Sequence, residues 1–347
     1  MIGTRIQRAR KAASLSLRAL GEMVGVSQTT ISMYESEKST PDSTMLLKLA
    51  KALKVKTEFF FRSSTFILEN KEYRKRTISN IELQSIESKI LNLVEKRFEF
   101  ETLYPPVNSI VFEVPSKLPS HIKFLYEIDT FAKKLRELWD LGSDPISDLS
   151  DLLESKGIKI FMIDEDADNN FDGLAALVND YHIIVISKNW PGDRQRFTLA
   201  HELGHLMLDG KLAETVDEEK ASDRFAGAFL LPEEALKQKL GNKRKSLEIA
   251  ELSLMKKEFG VSMQVVFIRA SHAKIIDYNY SSKLWKIFKK EGWNIKEPGE
   301  QYPSESVYHF KQMVLRAVSE EHIGESKAAE LLDMTVNKFH KFRMTGK

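Results

Sequence analysis

The chain contains no cysteine in 347 residues. That excludes a disulfide framework, a thiol nucleophile and every thiolate metal site, so any metal must be held by histidine and carboxylate. Long apolar runs are missing too. Stretches such as Phe59–Phe61 and Ile183–Ile186 fall far short of the ~20 residues that cross a bilayer. The opening Met1-Ile2-Gly3-Thr4-Arg5 leads into a charged amphipathic stretch without the apolar core of a signal peptide. A reducing, cytoplasmic setting with no membrane partner is therefore expected. There is no internal repeat and no low-complexity segment. Hydrophobic residues make up 42% and charged residues 29%, an ordinary globular balance. The length calls for two or three domains.

Net charge is nearly absent as well, but the overall +2 conceals an asymmetry. Residues 1–65 carry eleven Lys/Arg against five Asp/Glu, a surplus of +6 that leaves −4 for the remainder. A polyanion, if one is bound, should meet this basic head.

The head reads as short helices. Ile2, Ile6 and Ala9 share a helical face, and Ser16 is placed to cap a helix carrying Leu17, Leu20 and Val24. Gly25 ends it, Ser27 caps a third helix with Ile31 and Tyr34 inward, and Pro41-Asp42 opens a fourth with Leu46, Leu49, Ala50 and Leu53. Two helices joined at a glycine, the second presenting small polar side chains at its start, suit the major groove. There glutamine can pair with adenine and threonine can touch a thymine methyl. In Ser27-Gln28-Thr29-Thr30-Ile31-Ser32 and Glu35-Ser36-Glu37-Lys38-Ser39-Thr40-Pro41, residues 2–61 resemble the XRE (lambda-repressor-like) helix-turn-helix family. The resemblance implies a five-helix DNA-binding domain and a double-stranded operator. It also implies that Gln28, Thr29, Thr30 and Met33 face bases, while Ser32, Lys38 and the basic first helix approach phosphate. Leu17 stands where the family often has a phosphate-clamping glutamine. The plainer alternative is a five-helix interaction module that does not bind DNA.

Residues 66–144 read as a helical connector: a polar, basic stretch at 66–80, a long amphipathic helix from Ile81 to about Phe100, an irregular proline passage, and a helix at about 124–140. A second unit begins near Pro145, with a helix carrying Ile146, Leu149, Leu152 and Leu153. A strand at Ile158–Ile163, an acidic loop at 164–168 and a strand at Ile183–Ser187 follow. Pro191-Gly192-Asp193 then turns into a helix bearing His201-Glu202-Leu203-Gly204-His205. Another helix runs from about Glu218 to Leu231, and more helix reaches about Ala273.

His201 and His205, four apart, share one helix face, so their ring nitrogens can converge on one cation. Glu202 beside them can reach an attacking water without being a ligand. A metallopeptidase needs this set: zinc polarises the carbonyl, and the carboxylate moves the proton. Catalytic zinc takes a third protein ligand. Glu219, opening the next helix, is the choice, with Asp223 one turn on placed to orient a ligand histidine; Glu218 is the weaker alternative. The plainer reading is a helix with two surface or capping histidines. The segments Arg194–Leu208 and Glu219–Pro232 resemble the ImmA/IrrE-type zinc metallopeptidases over roughly 145–300, including Gly292-Trp293 and Glu297-Pro298. The resemblance implies a gluzincin-like site with His201, His205 and Glu219 as ligands and Glu202 as base. The family commonly has a second Glu and then Ala-Asn where this chain has Ala221, Ser222 and Asp223. No oxyanion stabiliser is singled out from Tyr181, His182 and His272.

Residues 301–347 form a helical tail whose 320–335 stretch resembles a second helix-turn-helix. Residues 318–347 carry no net charge, which favours packing or dimerisation over DNA contact. The expected fold is mainly α with a small β-sheet (α+β). The expected function is a DNA-binding regulatory zinc metalloendopeptidase that cleaves a repressor or antitoxin-like protein under stress, with a homodimer among the expected assemblies. The alternative is a transcriptional repressor or antitoxin whose zinc domain is a sensor or scaffold.

Overall fold

The computed structural model describes residues 2–62, 66–73, 79–105, 110–164 and 171–346. Helices α1 (Ile2–Ala12), α2 (Leu17–Val24), α3 (Gln28–Glu35) and α4 (Ser43–Leu53) form the head, and a 3-10 turn, Thr57–Phe61, takes the place of a fifth helix. Its boundaries follow from side-chain caps. Ser16 accepts from the Ala19 amide, Ser27 from Thr30 and Asp42 from Met45, each satisfying a donor that the first helical turn leaves free. Ile6, Leu20, Ile31, Leu49 and Phe60 make the head's core.

Strand β1 (Glu69–Tyr73) and helix α5 (Asn80–Leu103) follow; Ser79 and Glu82 start α5 with a reciprocal capping box. Helices α6 (Glu127–Leu138) and α7 (Leu149–Ser155) lead into β2 (Lys159–Ile163), β3 (Gly173–Val178) and β4 (Tyr181–Ser187). The sheet order is β1-β3-β4-β2; β2 runs parallel to β4 and the other pairs are antiparallel. Strands β1 and β3 correct the sequence reading, which left 66–80 as a polar connector and passed over 173–178. Except for Asp164, the expected acidic loop lies outside the described residues.

One face of the sheet is covered by α5 through Ile86, Ile90, Val94 and Phe98. The other packs against α8 (Gly192–Leu208), α9 (Glu218–Leu230), α10 (Glu233–Leu240), α11 (Ile249–Phe259), α12 (Met263–His272) and α13 (Tyr278–Lys290), with α6 and α7 in the same core. The segment read as a connector thus supplies walls to the second unit. The tail helices α14 (His309–Ser319), α15 (Glu325–Leu331) and α16 (Val336–Thr345) bury Met313, Val314, Ala317 and Phe339 against Phe100 of α5.

Head and tail both dock on α5. Glu95, fully buried, receives Arg5 and Arg8, each at 2.6 Å. Glu330 of the tail pairs with Lys56 and Arg62, and Lys96 of α5 pairs with Asp333. No helix among the described residues is long and apolar enough to cross a membrane.

Candidate metal centre and nucleic-acid face

Helix α8 is buried along most of its length and crosses the inner face of the sheet. His201 and His205 lie on its one side facing α9, their Nε2 atoms 3.0 Å apart. The two helices can approach because Gly204 lies between the histidines. A Cβ there would stand 3.1 Å from the Ser222 Cα and from the Phe225 ring, tighter than packing tolerates without a shift. That close approach brings the first turn of α9 over the histidines. Glu219 Oε2 is 3.6 Å from His201 Nε2, and Oε1 is 3.7 Å from His205 Nε2.

The outer ring nitrogens are occupied as well. Asp223 Oδ1 is 2.8 Å from His201 Nδ1, and Glu218 Oε1 is 3.2 Å from His205 Nδ1. A carboxylate at Nδ1 holds the proton there and leaves Nε2 with its lone pair inward. Glu218, weighed from the sequence only as a substitute ligand, thus lies against the outer nitrogen of His205, as Asp223 does for His201. Burial, reinforced by the neighbouring His201, holds the His205 imidazole below its usual range and keeps it neutral. Contact with His201, with His205 close by, holds Glu219 below the usual carboxylate range.

The donor set fits a divalent cation. Three donor atoms, one each from His201, His205 and Glu219, lie within 4.8 Å of one another. Ligands about 2.0–2.2 Å from a tetrahedral zinc stand roughly 3.3–3.5 Å apart, close to the 3.0–3.7 Å seen here. Two buried imidazoles and one carboxylate, with no sulfur, suit zinc. The side chains of His201 and His205 are 1% and 4% exposed, whereas that of Glu219 is 61% exposed, so the site opens to solvent on the α9 side.

Glu202 is completely buried between α8 and β3. Gly173 makes room for it: a Cβ at that position would lie 2.4 Å from Thr198 Cγ2 and 3.2 Å from Glu202 Oε1. A larger residue there would press on the carboxylate. Beyond Asp223, an apolar cavity of about 320 Å3 is lined by Leu125, Phe197, Val265, Ile268 and His272. Tyr181 and His182 lie elsewhere, edge-on to Phe98 and Phe112 respectively.

On the head, Gln28, Thr29, Ser32, Met33 and Lys38 are exposed on or just after α3. Thr30 is half-buried, its hydroxyl 2.9 Å from that of Ser27, so part of its hydrogen-bonding capacity serves the helix cap. The basic first helix departs from the expectation that it approaches phosphate. Arg5 and Arg8 are spent on Glu95, and Arg10 forks onto Glu35 at 2.5 and 2.8 Å. The last pair ties α1 to the end of α3 and fixes the angle at which α3 is presented.

These features define two classes of module in one chain, a helix-turn-helix domain and a metallopeptidase-like domain with a His/His/Glu centre. Comparison with known proteins agrees. Residues 6–60 match the helix-turn-helix family and residues 153–271 match the IrrE N-terminal-like domain family. The chain thus carries an XRE-type helix-turn-helix domain ahead of an IrrE/ImmA-like peptidase domain. The head is also similar to Repressor protein C2 of Salmonella phage P22, 37% identical over 62 residues, which is 18% of this chain and 29% of that repressor. The likeness therefore concerns the head alone, and the chain covers less than a third of the repressor's length.

Proposed function

We propose that this protein is a DNA-bound regulatory zinc metalloendopeptidase, and that it cleaves a repressor or antitoxin-like partner to switch on gene expression under stress. The convergence of His201, His205 and Glu219 beside the buried Glu202 carries the reading. Zinc held by the first three would polarise the scissile carbonyl and lower the pKa of the attacking water. Glu202 takes a proton from that water on its carboxylate as the oxygen bonds to the carbonyl carbon, then delivers it to the leaving amine as the C–N bond breaks. Asp223 and Glu218 keep both imidazoles in the tautomer that offers Nε2. The exposed α3 residues read the operator, and anchoring on it raises the local concentration of a substrate bound to the same DNA.

The likeness of the head to a phage repressor favours a second reading, in which the chain itself represses and the metal domain is a non-catalytic sensor. New protein N-termini in cells carrying the wild type or Glu202→Gln, before and after DNA damage, distinguish the two. Termini in a repressor-like protein that appear only with the wild type support the protease. Identical termini in both strains, with zinc bound to both purified proteins, establish the second reading.

A further inference from the structure

An apolar hollow beside the sheet lies away from the metal centre. A cavity of about 410 Å3 opens along the outer edge of β2, walled by Leu93, Phe161, Val307, Phe310 and Leu332. Its position is unusual: α5, the sheet and the tail all contribute to it. A hollow of this size with apolar walls is in the range that takes a small organic molecule.

Its polar groups specify the chemistry. Carbonyl and amide of one strand residue point to the same side, and successive residues alternate. The Ile163 carbonyl accepts from Lys188 at the end of β4, so Ile160 and Met162 point away from β4. Ile160 is already served, its amide donating to Glu154 at 3.3 Å and its carbonyl accepting from Arg97 at 3.5 Å. Met162, which likewise points away from β4, also lines the cavity. The cations differ in the same way. Arg97 is neutralised by Glu101 and Glu154, and Lys96 by Asp333. Of the acids, Glu305 is bonded to Arg196. Lys188 and Lys311 also line the cavity, and neither makes an ion pair among the described residues.

We infer that this cavity binds a small anionic amphiphile, its apolar body between α5 and the tail, its acid head on Lys188 and Lys311. An apolar wall alone would not choose a charge; two lysines in its lining that make no ion pair among the described residues do. The occupant would touch α5, which carries Glu95 under the head, and α15, which carries Glu330. It is therefore placed to register on both anchors of the DNA-binding domain. The inference stands whether or not the metal centre is catalytic.

The test uses the full chain with 8-anilinonaphthalene-1-sulfonate as a fluorescent probe, and decanoate and decanol as competitors. One saturable site is expected, displaced by decanoate well below the concentration at which decanol acts. Lys188→Ala with Lys311→Ala should weaken both anions at least tenfold, and Val307→Trp should remove the site by filling it. Unchanged thermal unfolding of the double variant, whose lysines reach the surface, shows that the fold is intact. Absence of saturable binding, equal displacement by the alcohol, or binding indifferent to both variants would overturn the inference.

Discussion

Arg5 in the first helix and Glu95 in α5 meet at 2.6 Å with both side chains buried, and Arg8 completes the pair from the other carboxylate oxygen. A charge taken out of water is tolerated only while its partners remain. Glu95→Gln leaves two arginines facing a neutral group, and breaking such a buried pair costs on the order of 3–5 kcal/mol. The head should release from α5, seen in calorimetry as a lowered or split unfolding transition. An unchanged single transition would show that the ion pairs do not hold the head.

The paired carboxylates on the outer histidine nitrogens predict graded losses of metal. Asp223→Asn should weaken zinc binding by about 10–100-fold, the usual range for a partner that orients a ligand, and Glu218→Gln should act in the same direction. Glu219→Gln removes a donor and should cost more than either. Chelator competition on the purified proteins ranks the three. If Glu218→Gln proved the most damaging, Glu218 and not Glu219 would be the third ligand.

Gln28 stands exposed at the start of α3, where a bidentate base contact is worth about 1–3 kcal/mol. Gln28→Ala should lower operator affinity by that amount and relax sequence preference, while Lys38→Ala should weaken operator and random DNA alike and flatten the salt dependence. Binding titrations at several salt concentrations separate the two. Equal losses on both DNAs for Gln28→Ala would remove it from the base-reading set.

His272 gives a pH signature. Burial, then the nearby Arg224 and Arg269, lower its pKa from 6.5 to about 4. The unfolded chain therefore binds a proton at this residue between those values that the folded chain refuses. Stability from this group is complete above pH 6.5 and declines as the pH falls toward 4. Urea midpoints measured across that window should fall less steeply in His272→Gln. Parallel curves would place the acid sensitivity elsewhere.

How much of this was readable in advance depended on the range of the interaction. Caps at Ser16, Ser27 and Asp42 obey rules that operate within three residues, so the helix starts of the head were legible. His201 and His205 met by helical spacing, while Glu219 was brought within reach by a close helix crossing at Gly204 that no local rule describes. Strand β3, Gly-Leu-Ala-Ala-Leu-Val, has no alternation because it is covered on both faces. Strand β1, Glu-Asn-Lys-Glu-Tyr, lies at the sheet edge, where polar residues are tolerated. The pairing of Arg5 with Glu95 joins residues 90 apart, so the sequence marked those arginines as candidates for phosphate when folding had committed them to a carboxylate.

That commitment limits how the chain can be divided. A fragment starting after the head would expose Glu95 on a helix whose opposite flank still has to cover the sheet, and it would leave Glu330 without Lys56 and Arg62. The isolated peptidase fragment would then differ from the parent in charge as well as in length. A swapped-in head would function only if it brought its own pair of cations to the same spot, so α5 acts as a lock that accepts one cut of key.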